Sequence, residues 1–214
     1  MIKIDAIFFD VDGTLIDART DIANAVNYTL KKLGINERTK KTITSYIGTG
    51  VKDLIAKSLG SENTGLADDA IKIFSAYYIE HSADEAILYP HVDETLKFFK
   101  DKHKYILTNR YARFADITLR KLGIRNYFMD IIGGDDENCL KPSACVFDSV
   151  RPKLKIDKNK AIIVGDMAID ILTGKNSGIK TCWVTYGLGK AEEVRPLRPD
   201  YIVNDMIELK GIMR

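Results

Sequence analysis

Short runs of apolar residues recur along this chain of 214 residues, and each run is bounded by glycine, aspartate or asparagine. The runs are continuous rather than alternating, which is typical of strands covered on both faces of a sheet. From residue 105 onward, segments with a helical spacing of apolar residues separate the runs. This order predicts a doubly wound parallel sheet of the α/β class with right-handed crossovers. The predicted strands are 6–9, 105–108, 131–132, 161–164, 182–184 and 201–203.

The stretch 17–85 has a different pattern. Apolar residues repeat there at helical spacing in three segments, the first two of which end at Gly34 and Gly60, and no strand-like run interrupts them. We therefore predict an all-helical cap domain at 17–85, inserted into a core domain made of 1–16 and 86–214. Within the core, helices are predicted near 114–122, 143–147 and 167–176, from their apolar spacing and capping residues.

Composition excludes several classes of protein. Hydrophobic residues make up 45% and charged residues 29%, close to the average of globular proteins, so disorder and coiled-coil structure are not expected. The formal net charge of +2 is too balanced for a dedicated nucleic-acid or anionic-membrane binder. No apolar run approaches the roughly 18 residues that span a bilayer, and the first residues are broken by Asp5 and Asp10, unlike a signal peptide. We expect a cytoplasmic protein.

The three cysteines are Cys139, Cys145 and Cys182. They lack the paired spacing of a zinc site, so we interpret them as small buried hydrophobic residues. A sparse, odd set of cysteines also favours a reducing compartment.

Two aspartates follow the first predicted strand directly. Asp10 lies at its carboxyl end, where open α/β sheets bind ligands, and Asp12 comes two residues later. Residues two apart in an extended chain project to the same side, so the two carboxylates are expected to face one site. Their mutual repulsion raises one pKa or requires a cation. Gly13 allows close approach to a ligand, and Thr14 offers a hydroxyl group.

A second pair of aspartates follows the strand at 161–164. Asp166 comes at the end of that strand, and Asp170 lies four residues later, on the same face if a helix begins there. Together with Asp10 and Asp12 they form an oxygen-rich set of ligands that suits Mg²⁺ rather than zinc. The sequence therefore predicts a magnesium site.

Two further segments carry groups that bind phosphate. Thr108 and Asn109 follow a strand and offer a hydroxyl and an amide, and Lys141 precedes a short helix with a compact ammonium. Carboxylates, a metal site, a hydroxyl and a lysine together suit phosphoryl transfer, in which positioning and charge neutralisation supply most of the catalysis.

These motifs occur in order along the chain and resemble the four motifs of the haloacid dehalogenase-like hydrolase superfamily. They are the aspartate motif at 10–14, the Thr-Asn pair at 108–109, Lys141, and the Gly-Asp motif with its second aspartate at 165–170. The helical insertion resembles that family's α-helical cap. Within the superfamily, the segments 46–51 and 88–92 are similar to phosphoglycolate phosphatases.

The resemblance implies a role for each aspartate. Asp10 would be the nucleophile that forms an aspartyl-phosphate. Asp12 would be the general acid for the leaving oxygen and then the base that activates water. Mg²⁺ would be held by Asp10, by the backbone carbonyl of Asp12 and by Asp166, with Asp170 supporting the ion or its waters.

The resemblance also implies how substrate is held. Thr108, Asn109 and Lys141 would bind the phosphoryl group, and Lys141 would steady Asp10. In the cap, the loop ending at Gly50 offers free N–H groups to an anion.

Two further cations complete the expected substrate site. Lys52 is the nearest cationic side chain of the cap, and Arg110 could pair with a substrate carboxylate. We therefore expect a Mg²⁺-dependent phosphatase acting on a small anionic phosphomonoester, phosphoglycolate being the leading case.

Three alternatives stay open at this point: a phosphotransferase of the β-phosphoglucomutase type, a pyrophosphatase or nucleotidase with the same core, and a phospho-acceptor switch that is not an enzyme. The length of the chain and the helical insertion after its first strand argue against such a switch. The expected partner is a small phosphate ester rather than a nucleic acid or a membrane, and the sequence leaves monomer and homodimer open.

Overall fold

The structure is a computed structural model that describes residues 1–148 and 156–213. The strands are β1 (Ala6–Phe9), β2 (Ile16–Asp17), β3 (Ile87–Leu88), β4 (His103–Leu107), β5 (Asp130–Ile132), β6 (Ala161–Gly165), β7 (Lys180–Val184) and β8 (Tyr201–Val203). The α-helices are α1 (Arg19–Lys32), α2 (Lys40–Thr44), α3 (Val51–Leu59), α4 (Ala67–His81), α5 (Val92–Phe98), α6 (Ala112–Lys121), α7 (Cys145–Asp148), α8 (Ala168–Ser177), α9 (Ala191–Val194) and α10 (Leu209–Ile212). Short 3₁₀ helices lie at Ser61–Leu66, Arg125–Tyr127, Lys158–Lys160, Arg195–Leu197 and Met206–Glu208.

Six of these strands form one parallel sheet in the order β5-β4-β1-β6-β7-β8. The predicted α/β class and the six predicted strands are confirmed. β1 pairs with β4 on one side and with β6 on the other, so the strand that leads into Asp10 lies in the interior of the sheet.

Both faces of the sheet are buried, which explains the continuous apolar runs. Ile7 and Phe9 project into the larger hydrophobic cluster, whereas Phe8 projects into a second cluster on the opposite face. All three side chains are fully buried. A polar residue inside this strand would lack water on either side, so the runs end where a strand leaves the sheet.

Four helices, α1 to α4, follow one another between β2 and β3, and we call them the cap helices. The three predicted helices of this region are confirmed as α1, α3 and α4, and α3 ends at Gly60 with a positive φ of 82°. α2 was not predicted, because its five residues contain a single buried apolar residue, Ile43. The division into a cap at 17–85 and a core at 1–16 and 86–214 stays a proposal, and residues 149–155 and 214 of that core lie outside the described residues.

A two-stranded antiparallel ribbon, absent from the sequence prediction, lies where the chain enters and leaves the cap helices. In it, Ile16 pairs with Leu88 and Asp17 pairs with Ile87. A strand of two residues is too short to show a periodic pattern of apolar residues in the sequence, so only its pairing with another strand identifies it. The ribbon holds the two ends of the insertion next to each other.

The core helices confirm the predictions near 114–122, 143–147 and 167–176 as α6, α7 and α8. Among the described helices, none combines the length and apolarity needed to cross a bilayer.

The prediction for the cysteines was wrong for two of the three. Cys139 and Cys145 form a disulfide, with their Cα atoms 5.6 Å apart, whereas Cys182 is free and buried as expected. A turn and the start of α7 bring the pair together, which their spacing along the chain did not indicate.

Candidate active site

The predicted site residues converge at the carboxyl edge of the sheet because three neighbouring strands end there. Asp10 follows β1, Thr108 follows β4 and Asp166 follows β6. The backbone N–H of Asp10 donates to the carbonyl of Val164 at 3.0 Å, so the sheet ladder continues up to the aspartate and holds its backbone in place.

Three buried carboxylates lie together at this edge. One oxygen from each of Asp10, Asp166 and Asp170 lies within 4.8 Å of the others. Burial raises the pKa of Asp166 and of Asp170 above the usual range, and the neighbouring carboxylates add to the effect. Such a cluster of hard oxygen ligands is stabilised by a divalent cation, and its donor set fits Mg²⁺. Three of the four predicted magnesium ligands, Asp10, Asp166 and Asp170, are thus brought together. The side chain of Asp12 is not part of this cluster, and its predicted contribution was only its backbone carbonyl.

Asp166 is held by the turn after β1 and by the loop after β7. Thr14 Oγ1 donates to Asp166 Oδ1 at 2.9 Å, and the backbone N–H groups of Leu188 and Gly189 donate to Oδ2 at 2.6 and 3.2 Å. A Cβ added to Gly13, whose φ is +88°, would lie 2.3 Å from Asp166 Oδ2, so glycine is required at that position. The role of the loop after β7 was not predicted, although its Gly-Leu-Gly segment at 187–189 follows a predicted strand.

Asp170 lies in the first turn of α8 and caps it. Its Oδ2 accepts the backbone N–H of Met167 at 2.9 Å, while its Oδ1 accepts from Lys141 Nζ at 2.6 Å. The start of the helix thereby fixes the orientation of the carboxylate. Sequence spacing predicted this helix, but only the structure shows the lysine bound to Asp170.

Lys141 joins the two sides of the carboxylate cluster. Its Nζ donates to Asp10 Oδ1 at 2.7 Å as well as to Asp170, and its side chain is only 3% exposed. Burial by itself would lower the pKa of this ammonium, but the attraction of the two carboxylates outweighs burial and raises it. Lys141 therefore stays charged and offsets part of the negative charge around Asp10.

Asn109 has a different arrangement from the one expected of a phosphate ligand. Its Nδ2 donates to the carbonyl of Gly48 at 3.0 Å and to that of Lys141 at 3.1 Å, and its Oδ1 accepts the backbone N–H of Lys141 at 2.8 Å. The amide thus ties the loop before α3 to the loop that carries the lysine. Thr108 lines the cavity beside Asp10, as expected.

Arg110 lies at the site, but its guanidinium is bound to Asp12. Nε donates to Asp12 Oδ2 at 2.9 Å and Nη2 to Oδ1 at 2.5 Å, while Nη1 donates to Thr118 Oγ1 at 3.1 Å. The guanidinium also lies over the ring of Tyr78, 5.3 Å from its centroid. Burial raises the pKa of Asp12, and the positive charge of Arg110 opposes this shift. The expectation of a guanidinium free for a substrate carboxylate is therefore corrected, because a carboxylate of this chain occupies it.

Lys52 is not brought to this site. Its ammonium pairs with the carboxylate of Glu137, and the lysine side chain is 53% exposed. It lines a separate depression on the other side of Gly50, whereas Gly50 itself lies at the boundary of both. Lys52 lies in the first turn of α3, but its ammonium is paired outside the cavity that contains Asp10.

One cavity, with an empty volume of about 560 Å³ that opens in part to solvent, contains these groups. Core residues that line it include Asp10, Asp12, Thr108 and Lys141, and residues of the cap helices form the opposite wall. A nucleophilic carboxylate, a metal-binding cluster and a buried ammonium at the end of a parallel sheet are the components of a phosphoryl-transfer site.

Comparison with known proteins agrees with this geometry. The sequence model of the haloacid dehalogenase-like hydrolases matches residues 7–184. The chain belongs to this family, and it is a phosphatase.

Several similar proteins carry the name phosphoglycolate phosphatase. The chain is 30% identical over 220 residues to a phosphoglycolate phosphatase of Vibrio vulnificus, covering 99% of this chain and 96% of that protein. It is 34% identical to a phosphoglycolate phosphatase of Aquifex aeolicus, covering 97% and 95%. A crystal structure of a predicted phosphoglycolate phosphatase from Haemophilus somnus superposes with a TM-score of 0.89 at 26% identity, covering 99% of each chain.

Proposed function

We propose that the protein hydrolyses small phosphomonoesters in a Mg²⁺-dependent reaction through an aspartyl-phosphate on Asp10. The observation that supports this most directly is the position of the Asp10 carboxylate, which lines the cavity and is bound by Lys141 Nζ at 2.7 Å. A carboxylate that attacks an anionic phosphoryl group must overcome repulsion, and the buried ammonium reduces it.

The proposed metal would be held by Asp10, Asp166 and Asp170, with the backbone carbonyl of Asp12 as a further ligand. When bound, Mg²⁺ would neutralise charge on the carboxylates and on the phosphoryl oxygens. The three side chains fit this role because they are buried, close together and purely oxygen donors.

The proposed reaction has two steps. In the first, a carboxylate oxygen of Asp10 bonds to phosphorus and the ester P–O bond breaks. Asp12, which for this step must be protonated and released from its ion pair with Arg110, gives its proton to the leaving alcohol oxygen. In the second, the Asp12 carboxylate takes a proton from water, whose oxygen bonds to phosphorus while the Asp10–phosphorus bond breaks. Inorganic phosphate leaves, and both aspartates return to their starting states.

Thr108 and Lys141 are the proposed phosphoryl-binding groups, since both line the cavity next to Asp10. We propose that Asn109 acts on them as a positioning residue, because its amide holds the backbone of Lys141 on both sides. Phosphoglycolate is the leading substrate, supported by the names of the relatives at about 30% identity. The expected cytoplasmic location also stays a prediction.

The test is phosphate release from phosphoglycolate with Mg²⁺ and with a chelator, together with acid-quenched labelling by a ³²P-substrate. Asp10→Asn should lower kcat on the order of 10³-fold or more and abolish the labelled protein. The control is Asp69→Asn, the same change at an exposed cap residue paired with Lys72, which should leave kcat and the amount of labelled protein unchanged. Full turnover in Asp10→Asn, or in the chelator, would refute the proposal.

A further inference from the structure

The cavity that contains Asp10 extends beyond the reacting groups, to a wall formed by the cap. This wall is apolar except for the hydroxyl of Tyr78, and it comes from α1, α3, α4 and the loop before α3. Its side chains are those of Ile22, Ile47, Val51, Leu54, Phe74 and Tyr78. All six are buried, so this surface is already withdrawn from bulk water.

The charged groups of the cavity all come from the core, and they are bound to one another. Among the described residues that line it, Lys141 is paired with Asp10, and Arg110 is paired with Asp12. Lys52 of the cap pairs with Glu137, and both residues line the separate depression rather than this cavity. The wall therefore has no charged group of the cap to attract a second anion. Its one polar side-chain group, the buried hydroxyl of Tyr78, is neutral, so a charged substituent directed at the wall would lose hydration without gaining an ionic partner.

The cavity runs from the core residues beside Asp10 to the residues of the cap wall. An ester of glycolate, bound by its phosphoryl group beside Asp10, would occupy the end formed by the core. The apolar wall would then be left without a contact.

We infer that the cavity also takes phosphomonoesters whose alcohol is an uncharged alkyl chain, and that the protein hydrolyses them. The inference rests on the proposed function and adds a substrate class to it. The phosphoryl group lies among the core residues, and the alkyl chain lies against the cap wall. The same two steps release the alcohol and inorganic phosphate, so no additional reactant is needed.

The dependence of kcat/KM on chain length tests the inference with the unmodified protein. Ethyl, propyl, butyl, pentyl and hexyl phosphate are assayed with Mg²⁺, and Asp10→Asn serves as the background. Each methylene that reaches the wall should raise kcat/KM about fourfold, equivalent to about 0.8 kcal/mol, mainly through a lower KM. A flat or falling series would overturn the inference.

Phosphoglycolate, assayed in parallel, separates the two ways in which this can fail. If phosphoglycolate is hydrolysed and the alkyl series is flat, the inference is wrong and the proposed function stands. If no ester in the set is hydrolysed above the Asp10→Asn background, the proposed function itself fails.

Two variants locate the effect in the cap wall. Ile47→Thr places a hydroxyl in the wall and should lower the ratio of hexyl to ethyl phosphate turnover, whereas Ile202→Thr, the same change on β8, should not. Ile47 is 8% exposed and Ile202 is 46% exposed. Val51→Phe fills space at the wall, so kcat/KM should stop rising at a shorter alkyl chain. Circular dichroism checks that each variant is folded. If folded Ile47→Thr and Val51→Phe keep the original ratio of hexyl to ethyl phosphate turnover, the alkyl chain does not lie against the cap wall and the inference is wrong.

Discussion

The ion pair between Arg110 and Asp12 should make a large, measurable contribution to folding. Its side chains are 5% and 13% exposed, and two N–H groups of the guanidinium bind the two carboxylate oxygens. Removing one partner leaves the other charged and buried without compensation. We therefore expect Arg110→Met to lower the free energy of unfolding by about 3–5 kcal/mol, as for other broken buried pairs.

A double-mutant cycle separates the pair from the other contacts of the guanidinium. Arg110→Met also loses the hydrogen bond to Thr118 and the contact with the ring of Tyr78. Asp12→Asn removes only the carboxylate charge and leaves Arg110 unpaired. The double variant leaves neither charge unpaired, so its loss should be smaller than the sum of the single losses by about 2 kcal/mol or more.

The assay is equilibrium unfolding in urea, without Mg²⁺, at about pH 7.5. Urea is uncharged, so it does not screen the pair as guanidinium chloride would. The control cycle uses Lys72→Met and Asp69→Asn, whose side chains form an exposed pair on α4 and should show little coupling. A coupling between Arg110 and Asp12 no larger than this control would refute the argument that burial makes the pair important.

Two further predictions concern the carboxylate cluster. Gly13→Ala should lower Tm by several degrees and weaken Mg²⁺ binding, measured by calorimetry, because the added Cβ would lie 2.3 Å from Asp166 Oδ2. Gly34→Ala, also at a positive φ but with no neighbouring atom, should leave Mg²⁺ binding unchanged. Burial raises the pKa of Asp170 to about 6, and that of Asp166 also rises, so the metal-free native state binds more protons than the unfolded chain. These groups therefore stabilise the metal-free protein as the pH falls from about 7 to about 5. The Tm increase caused by Mg²⁺ should shrink over the same interval, and a constant increase would contradict this assignment.

The sheet was predictable because its signal is local. Each of its strands contains a short apolar run, because burial on both faces favours apolar side chains. The aspartates and the threonine at the ends of these runs were predictable for the same reason, since the carboxyl ends of parallel strands meet at one edge. Asp10, Asp166 and Asp170 are thus found together, as their positions in the sequence indicated.

Elements defined by the pairing of two particular positions were not predictable. The ribbon of β2 and β3 joins Ile16 to Leu88, and neither short segment has a periodicity of its own. The disulfide between Cys139 and Cys145 depends on the path of one turn. In both cases two residues pair because the chain between them brings them close together. The types of the two residues do not indicate how the chain folds between them.

The sequence by itself determined the sheet, the helical insertion and the chemical groups at the strand ends. Only the tertiary structure decided which group binds which. Arg110 is bound to Asp12, 98 positions away in the chain, and Asn109 is bound to the carbonyl of Gly48, 61 positions away. Burial of a charged or polar side chain requires a partner within hydrogen-bond distance, and the packing of segments far apart in the chain decides which groups come that close.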